Sequence, residues 1–275
     1  THSFIAYYDD TMLEAAIKYK TIVDEFDDAI KAGEFKMYLQ PQISAKTRRL
    51  TGAEALVRRI KPDGTIISPI DFIPVYEKSG LISRLDRYIW EQAAAKLGEW
   101  KKAGINMSIS VNISPKDFYY IDIFNTFAGL IKKYDIEPSN LKIEITETTI
   151  MSDVPNLMGE LEELRKAGFT LEMDDFGSGY SSLNTLKDIN VDVLKVDMGF
   201  IKETKNVKKS RIILASVIKM AKELNLLIIT EGVETEEQVD NLTKLGCDVF
   251  QGYYFSKAID INEFEKRYLY RKKAG

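Results

Sequence analysis

The sequence predicts an α/β chain closed into a TIM-like (β/α)8 barrel with an antiparallel strand near its start. Short apolar runs alternate with amphipathic helical stretches over most of the chain, the pattern of a parallel sheet covered by helices. About eight strand signals fall within 275 residues, which suits a closed barrel. An open doubly wound sheet would carry a glycine-rich phosphate turn. The nearest candidate, Gly177-Ser178-Gly179-Tyr180-Ser181-Ser182, lacks the third glycine and opens no long helix.

Residues 10–31 contain no Pro or Gly and read as a charged amphipathic helix, a linker or cap (residues 1–31) before the barrel (32–275). Strands follow at 35–39 and 50–57, and the short polar turn around 46–49 makes them an antiparallel pair. A helix over 83–102 shows its apolar stripe at Leu85, Ile89, Ala93, Leu97 and Trp100 and stops at Gly104. Next come a strand at 107–111, helical segments to about 133, a strand at 141–145 and a helix over 156–166 ended by Gly168. Further strands are predicted at 169–173, 193–196, 226–229 and 248–250, with helices at about 183–187, 207–223 and 236–245. Leu214, Val217, Ile218, Ala221 and Leu224 define a buried face on the longest of these.

Composition narrows the chemistry. Apolar residues at 45% and charged residues at 29% belong to a globular chain rather than a disordered one. A net charge of −4 without a basic stripe argues against a DNA or RNA polymer as partner, so a polyanionic ligand would need a local site. The only cysteine, Cys247, forms no intramolecular disulfide, which fits a reducing compartment. The only histidine, His2, excludes a His-based zinc site, a Ser-His-Asp triad and a Cys-His dyad within this chain. There is no apolar run of membrane-spanning length and no signal peptide. The segment is expected to be cytoplasmic and to make no membrane contact, whether or not a longer parent protein is anchored.

Polar residues recur in and at the ends of strands: Glu54 within the second strand, Asn112, Glu144 with Glu147 beyond it, Asp174-Asp175, Lys195 within the 193–196 strand, and Glu231. Any one of them reads most simply as a helix cap or a solvated loop residue. Together, in a barrel, they converge on the mouth where the chemistry of such folds is placed. Several carboxylates facing one cavity repel each other unless cations sit between them, and hard oxygen ligands suit Mg2+ or Mn2+. The consecutive Asp174-Asp175 pair could serve two ions about 4 Å apart.

The sequence resembles the EAL domain family from about Phe35 to Phe255. The resemblance rests on Glu54-Ala55-Leu56-Val57-Arg58, Ser68-Pro69-Ile70-Asp71-Phe72-Ile73-Pro74, Val111-Asn112-Ile113-Ser114 and Glu144-Ile145-Thr146-Glu147. It continues through Asp174-Asp175-Phe176-Gly177-Ser178-Gly179-Tyr180-Ser181-Ser182-Leu183, Leu194-Lys195-Val196-Asp197, Glu231-Gly232-Val233-Glu234-Thr235 and Gln251-Gly252-Tyr253. A three-letter motif alone carries nothing, whereas this ordered set is specific. Ile5-Ala6-Tyr7-Tyr8-Asp9-Asp10 also resembles the junction between a diguanylate-cyclase-like (GGDEF) domain and a following EAL domain.

The resemblance implies a phosphodiesterase that opens cyclic di-GMP to linear 5′-pGpG, using water activated by two Mg2+ or Mn2+ ions, with Ca2+ inhibitory. It implies a first metal site at Glu54, Asn112, Glu144 and Asp174, and a second ion shared by Asp174 with Asp175 and Glu231. Lys195 is implied near the attacking water, so that Lys195, Glu231 and Glu54 form the catalytic set. Gln40, Leu56, Arg58 and Gln251 match nucleotide contacts, and Glu147 matches a support for the 175–183 loop. A homodimer through the barrel and fused or neighbouring GGDEF or sensor domains are implied partners. The chain departs from the family pattern at Arg59, Met198 and Ala258, which bears on nucleotide affinity and loop geometry rather than on the metal ligands. Two rival readings are a cyclic di-GMP receptor that binds without hydrolysis and another Mg2+-dependent barrel enzyme that stabilises an enolate.

Overall fold

The computed structural model describes residues 10–177, 186–187, 189–199 and 207–270. The expectations for 5–9 and 178–183 therefore lie outside the described residues, as does most of the 183–187 helix. The strands are β1 (Phe35–Ser44), β2 (Leu50–Ile60), β3 (Ile66–Ile67), β4 (Ile109–Ile113), β5 (Leu141–Thr146), β6 (Leu171–Asp174), β7 (Val193–Asp197), β8 (Leu227–Glu231), β9 (Val249–Phe250) and β10 (Ile259–Asp260). Eight of them close a barrel in the order β1-β9-β8-β7-β6-β5-β4-β2, sealed by the β1–β2 pairing. β1 runs antiparallel to both neighbours, and every other pair around the ring is parallel. The short link between β1 and β2 leaves no room for a parallel crossover, which is why the inversion falls there. β3 and β10 extend the sheet outside the ring, on β2 and β1.

Helices cover the ring: α1 (Asp10–Asp24), α2 (Phe26–Lys31), α3 (Pro69–Ser79), α4 (Ile82–Lys102), α5 (Asp117–Tyr120), α6 (Ile123–Tyr134), α7 (Glu147–Ile150), α8 (Leu157–Lys166), α9 (Val207–Glu223), α10 (Glu236–Leu245) and α11 (Ile261–Phe264). The helix expected over 10–31 is divided at Glu25, although the hydrogen bonds Glu25 N–H to Thr21 O and Ala29 N–H to Glu25 O, each 3.0 Å, run through the break. α3 is an addition to the expected elements, because Pro69 and Pro74 read as breakers. Pro69 instead takes the first turn, where its missing N–H costs nothing, and Gly80 closes the helix in left-handed backbone (φ 78°).

Strand alternation sets the layers. In β5, Leu141, Ile143 and Ile145 are fully buried towards the helices, so residues 142, 144 and 146 face the barrel interior. The same alternation separates Arg58 from Arg59. Arg59 turns away from the mouth and binds Glu25 at 2.7 Å and Glu34 at 2.9 Å, tying the N-terminal helices to β2. The departure at Arg59 is thus a packing feature, joining β2 to the segments on either side of α2. Near the mouth Gly252 is required by contact, since a Cβ there would lie 2.2 Å from the Val233 carbonyl oxygen. This close approach docks the segment after β9 on the segment after β8.

Candidate active site

At the carboxyl ends of the parallel strands, side chains from β2, β5, β6 and β8 gather around one ammonium. Lys195 Nζ on β7 lies 2.8 Å from Glu231 Oε1, 3.0 Å from Glu144 Oε1, 3.3 Å from Asp174 Oδ1 and 3.5 Å from Glu54 Oε2. Lys195 and Glu144 are wholly inaccessible to solvent. Parallel register produces this convergence by aligning Asn112 with Glu144 and Thr146 with Asp174 across neighbouring strands. Asn112 Nδ2 donates to Glu54 Oε1 at 3.3 Å, and its backbone carbonyl is held by Trp90 Nε1 at 2.9 Å. Gln251 donates to Glu54 and, at 3.3 Å, to Gln40 Oε1, while Gln40 Nε2 donates to the Ser256 carbonyl.

Four carboxylates share a single buried ammonium, and their proton affinities show the strain. Burial and the Glu54 charge push the Glu144 carboxyl well up against the pull of Lys195. Burial, with Asp174 and Glu54 nearby, pushes Glu231 up to about 8. Partial burial and the adjoining Asp174 push Asp175 up as well. Burial works against the Lys195 ammonium, but Glu144, Glu231, Glu54 and Asp174 outweigh it and raise its pKa well above the usual lysine range. Among the described residues no group of three or more His, Cys, Asp or Glu side chains is set out as a ready coordination shell, since the carboxylates are drawn onto Lys195 instead. The donor set is nonetheless one of hard oxygens, and Glu144 Oε2 has no hydrogen-bond partner among the described residues. Such a site fits divalent cations of the Mg2+ type.

A cavity of about 320 Å3 opens beside Glu54 and Asn112, lined by Leu56 and Arg58 and, further out, by Glu77 and Asp86. Arg58 is held over the Tyr38 ring at 5.9 Å and donates to its neighbour's carbonyl, Val57 O, at 2.8 Å. The structure thus brings Leu56 and Arg58 to the cavity wall, and Gln40 and Gln251 to the Glu54 side of the cluster. Glu147 is buried at the start of α7 and accepts from the Gly177 N–H at 3.4 Å, where the 175–183 loop begins. Met198 is buried and its N–H donates to the Glu231 carbonyl at 3.1 Å, away from the cavity lining.

Asp86 and Glu77 at this cavity, and Asp117 beside Asp86, were missed in the sequence. Asp86 lies on the apolar stripe of α4, between Ile82 and Trp90, and it pairs with Asp117, which is fully buried and accepts from the Ser114 N–H at 2.7 Å. Burial, then the Asp117 charge, raises Asp86 far above the carboxylate range, and burial raises Asp117 to about 6 despite Ser83 and Ser114. Such a raised acid favours the folded state below its unfolded pKa, and that contribution is lost as pH climbs through the folded value. Asp117→Asn should therefore match the wild type near pH 4 and become the more stable protein by neutral pH, by up to about 3 kcal/mol. Urea unfolding of both proteins across this range checks it, and a pH-independent difference would refute the assignment.

The comparisons with known proteins bear on the family and the fold. A family model described as EAL domain matches residues 23–258. The signaling protein YkoW of Bacillus subtilis is 36% identical over 239 residues, covering 87% of this chain and 30% of that protein. The bifunctional diguanylate cyclase/cyclic di-GMP phosphodiesterase MucR of Pseudomonas aeruginosa is 32% identical over 252 residues, covering 91% of this chain and 37% of that protein. A solved structure described as PaMucR phosphodiesterase, c-di-GMP complex, superposes with a TM-score of 0.82 at 32% identity, covering 89% of this chain and 99% of its own. The chain thus spans between 30% and 37% of the length of these two curated relatives.

Proposed function

The chain belongs to the EAL domain family, and from that premise we propose that it hydrolyses cyclic di-GMP to linear 5′-pGpG. The observation that carries the proposal is the cluster of Glu54, Glu144, Asp174 and Glu231 around Lys195, set beside a cavity lined by Leu56 and Arg58. Glu54, Asn112, Glu144 and Asp174 are the residues to hold one Mg2+ or Mn2+ ion, and Asp174, Asp175 and Glu231 a second. Two such ions supply a nucleophilic water at neutral pH and neutralise charge on the phosphoryl oxygens.

The rest falls to the protein. Asn112 already uses its amide N–H on Glu54, which leaves its carbonyl oxygen as the donor for an ion. Gln251 and Asn112 together fix the Glu54 carboxylate from two sides. Lys195, relieved of neutralising four carboxylates alone, donates a hydrogen bond to the attacking water and offsets negative charge as phosphorus is attacked in line with the departing 3′-oxygen. Glu231, 2.8 Å from Lys195, aims the ammonium. Arg58 reaches a phosphate from the cavity wall, Leu56 packs on a base, and Glu77 offers an acceptor suited to the N–H edge of guanine. Glu147 steadies the loop after Asp175 through Gly177.

The proposal extends to the setting: residues 1–31 as linker or cap, 32–275 as the phosphodiesterase barrel, a homodimer through the barrel, and a fused or neighbouring GGDEF or sensor domain in the cytoplasm. Among the described residues no helix is long and apolar enough to cross a membrane. The test incubates purified protein with cyclic di-GMP and Mg2+ or Mn2+, with EDTA and Ca2+ controls, and resolves the nucleotides by chromatography. Metal-dependent pGpG, absent with EDTA and suppressed by Ca2+, is expected. Intact cyclic di-GMP with measurable binding would make the domain a receptor, and absence of binding would overturn both readings.

A further inference from the structure

Beneath the mouth the barrel wall carries a second layer of charge. Glu172 on β6 is register-paired with Glu144 on β5, and Lys142 stands two residues before Glu144 on the same inner face. Lys142 Nζ lies 2.9 Å from Glu172 Oε1. Glu172 is fully buried, and the Lys142 side chain is 17% exposed. On the other side Glu144 Oε1 is 3.0 Å from Lys195. Glu144 Oε2 and Glu172 Oε2 receive no hydrogen bond from the described residues, and their register pairing sets the two residues side by side on the inner face. The charges thus run Lys142, Glu172, Glu144, Lys195, with the two acids adjacent and a cation at each end.

We propose that Lys142 and Glu172 form a charge-balanced pair that leaves Glu144 available to the divalent-cation site and keeps the layer beneath that site electrically neutral. The inference rests on the metal reading of the mouth given above. Without Glu172 the Lys142 ammonium would stand as an unbalanced cation beneath the site, drawing the Glu144 carboxylate towards itself and opposing a bound cation. Glu172 cancels that charge, so Glu144 stays available to the site. Partners behind a ligand commonly set metal affinity in this way.

The test separates charge balance from packing. Mn2+ alone is titrated into wild type, Glu172→Gln and the double variant Lys142→Met/Glu172→Gln, and binding is read from loss of the free-ion EPR signal, with circular dichroism confirming the fold. Glu172→Gln leaves Lys142 as an unbalanced cation below the site and should weaken Mn2+ binding about tenfold. The double variant removes both charges, buries no unpaired ion, and should return the affinity close to the wild-type value. Wild-type affinity in Glu172→Gln, or a double variant as weak as the single, would overturn the pair's role while leaving the metal reading intact. A wild type that takes up no Mn2+ overturns the metal reading and the pair with it.

Discussion

Replacing Asp174 by Asn is expected to lower the turnover of cyclic di-GMP by about 10³-fold or more while leaving nucleotide binding in place. Asp174 ends β6 and stands 3.3 Å from Lys195, so it is the one carboxylate in the proposal shared between both ions. Asn keeps the shape and one oxygen but removes the charge that draws two cations together. The cavity proposed to receive the nucleotide is lined instead by residues of β2, α3, α4 and β4 and the neighbouring segments, and it loses nothing. A fall in kcat with a nearly unchanged Kd for cyclic di-GMP, measured in Ca2+, is the signature. Wild-type turnover in this variant would show that the metal centre lies elsewhere.

Lys195→Met should act on stability and on rate in ways that metal separates. Without divalent ions the ammonium is the only cation the four carboxylates contact within the described cluster, and removing one partner from a buried ionic group costs about 3–5 kcal/mol. Mn2+ supplies positive charge to the same oxygens and should restore most of that loss. Turnover should stay about 10²- to 10³-fold below wild type even when metal is saturating, because no group replaces the hydrogen bond to the attacking water. Urea unfolding with and without Mn2+, together with single-turnover kinetics, checks both halves. Equal metal-free stability of variant and wild type would contradict the central place given to Lys195.

Some of this was open to inspection in the sequence. Asn112, Glu144, Asp174 and Glu231 stood out at strand ends because apolar runs bounded them, Glu54 lay within the second strand, and the short β1–β2 link announced its antiparallel pairing. Boundaries shifted by about two residues at β4 and β6, where the apolar run begins before the ladder does. Other features were harder to see. α3 was hidden by Pro69 and Pro74. Asp86 was overlooked although it sits on the buried stripe of α4, where a carboxylate marks a site rather than a solvated face. Lys142 and Glu172 were legible in principle, since each stands two residues before a residue of the mouth and so shares its face.

By itself, the sequence determined the fold class, the order of the eight barrel strands and most of the helices, the ordered motif set and the exclusion of histidine and disulfide chemistry. These follow from local periodicity and residue type, which neighbouring positions settle among themselves. Only the tertiary structure decided that four carboxylates meet on one lysine, that Arg59 joins β2 to the segments on either side of α2 while Arg58 lines the cavity, and that Glu172 stands beside Glu144. Those contacts depend on barrel closure and on the register of strands far apart in the chain. Period-two alternation says which face a side chain takes, but closure alone says what it meets there.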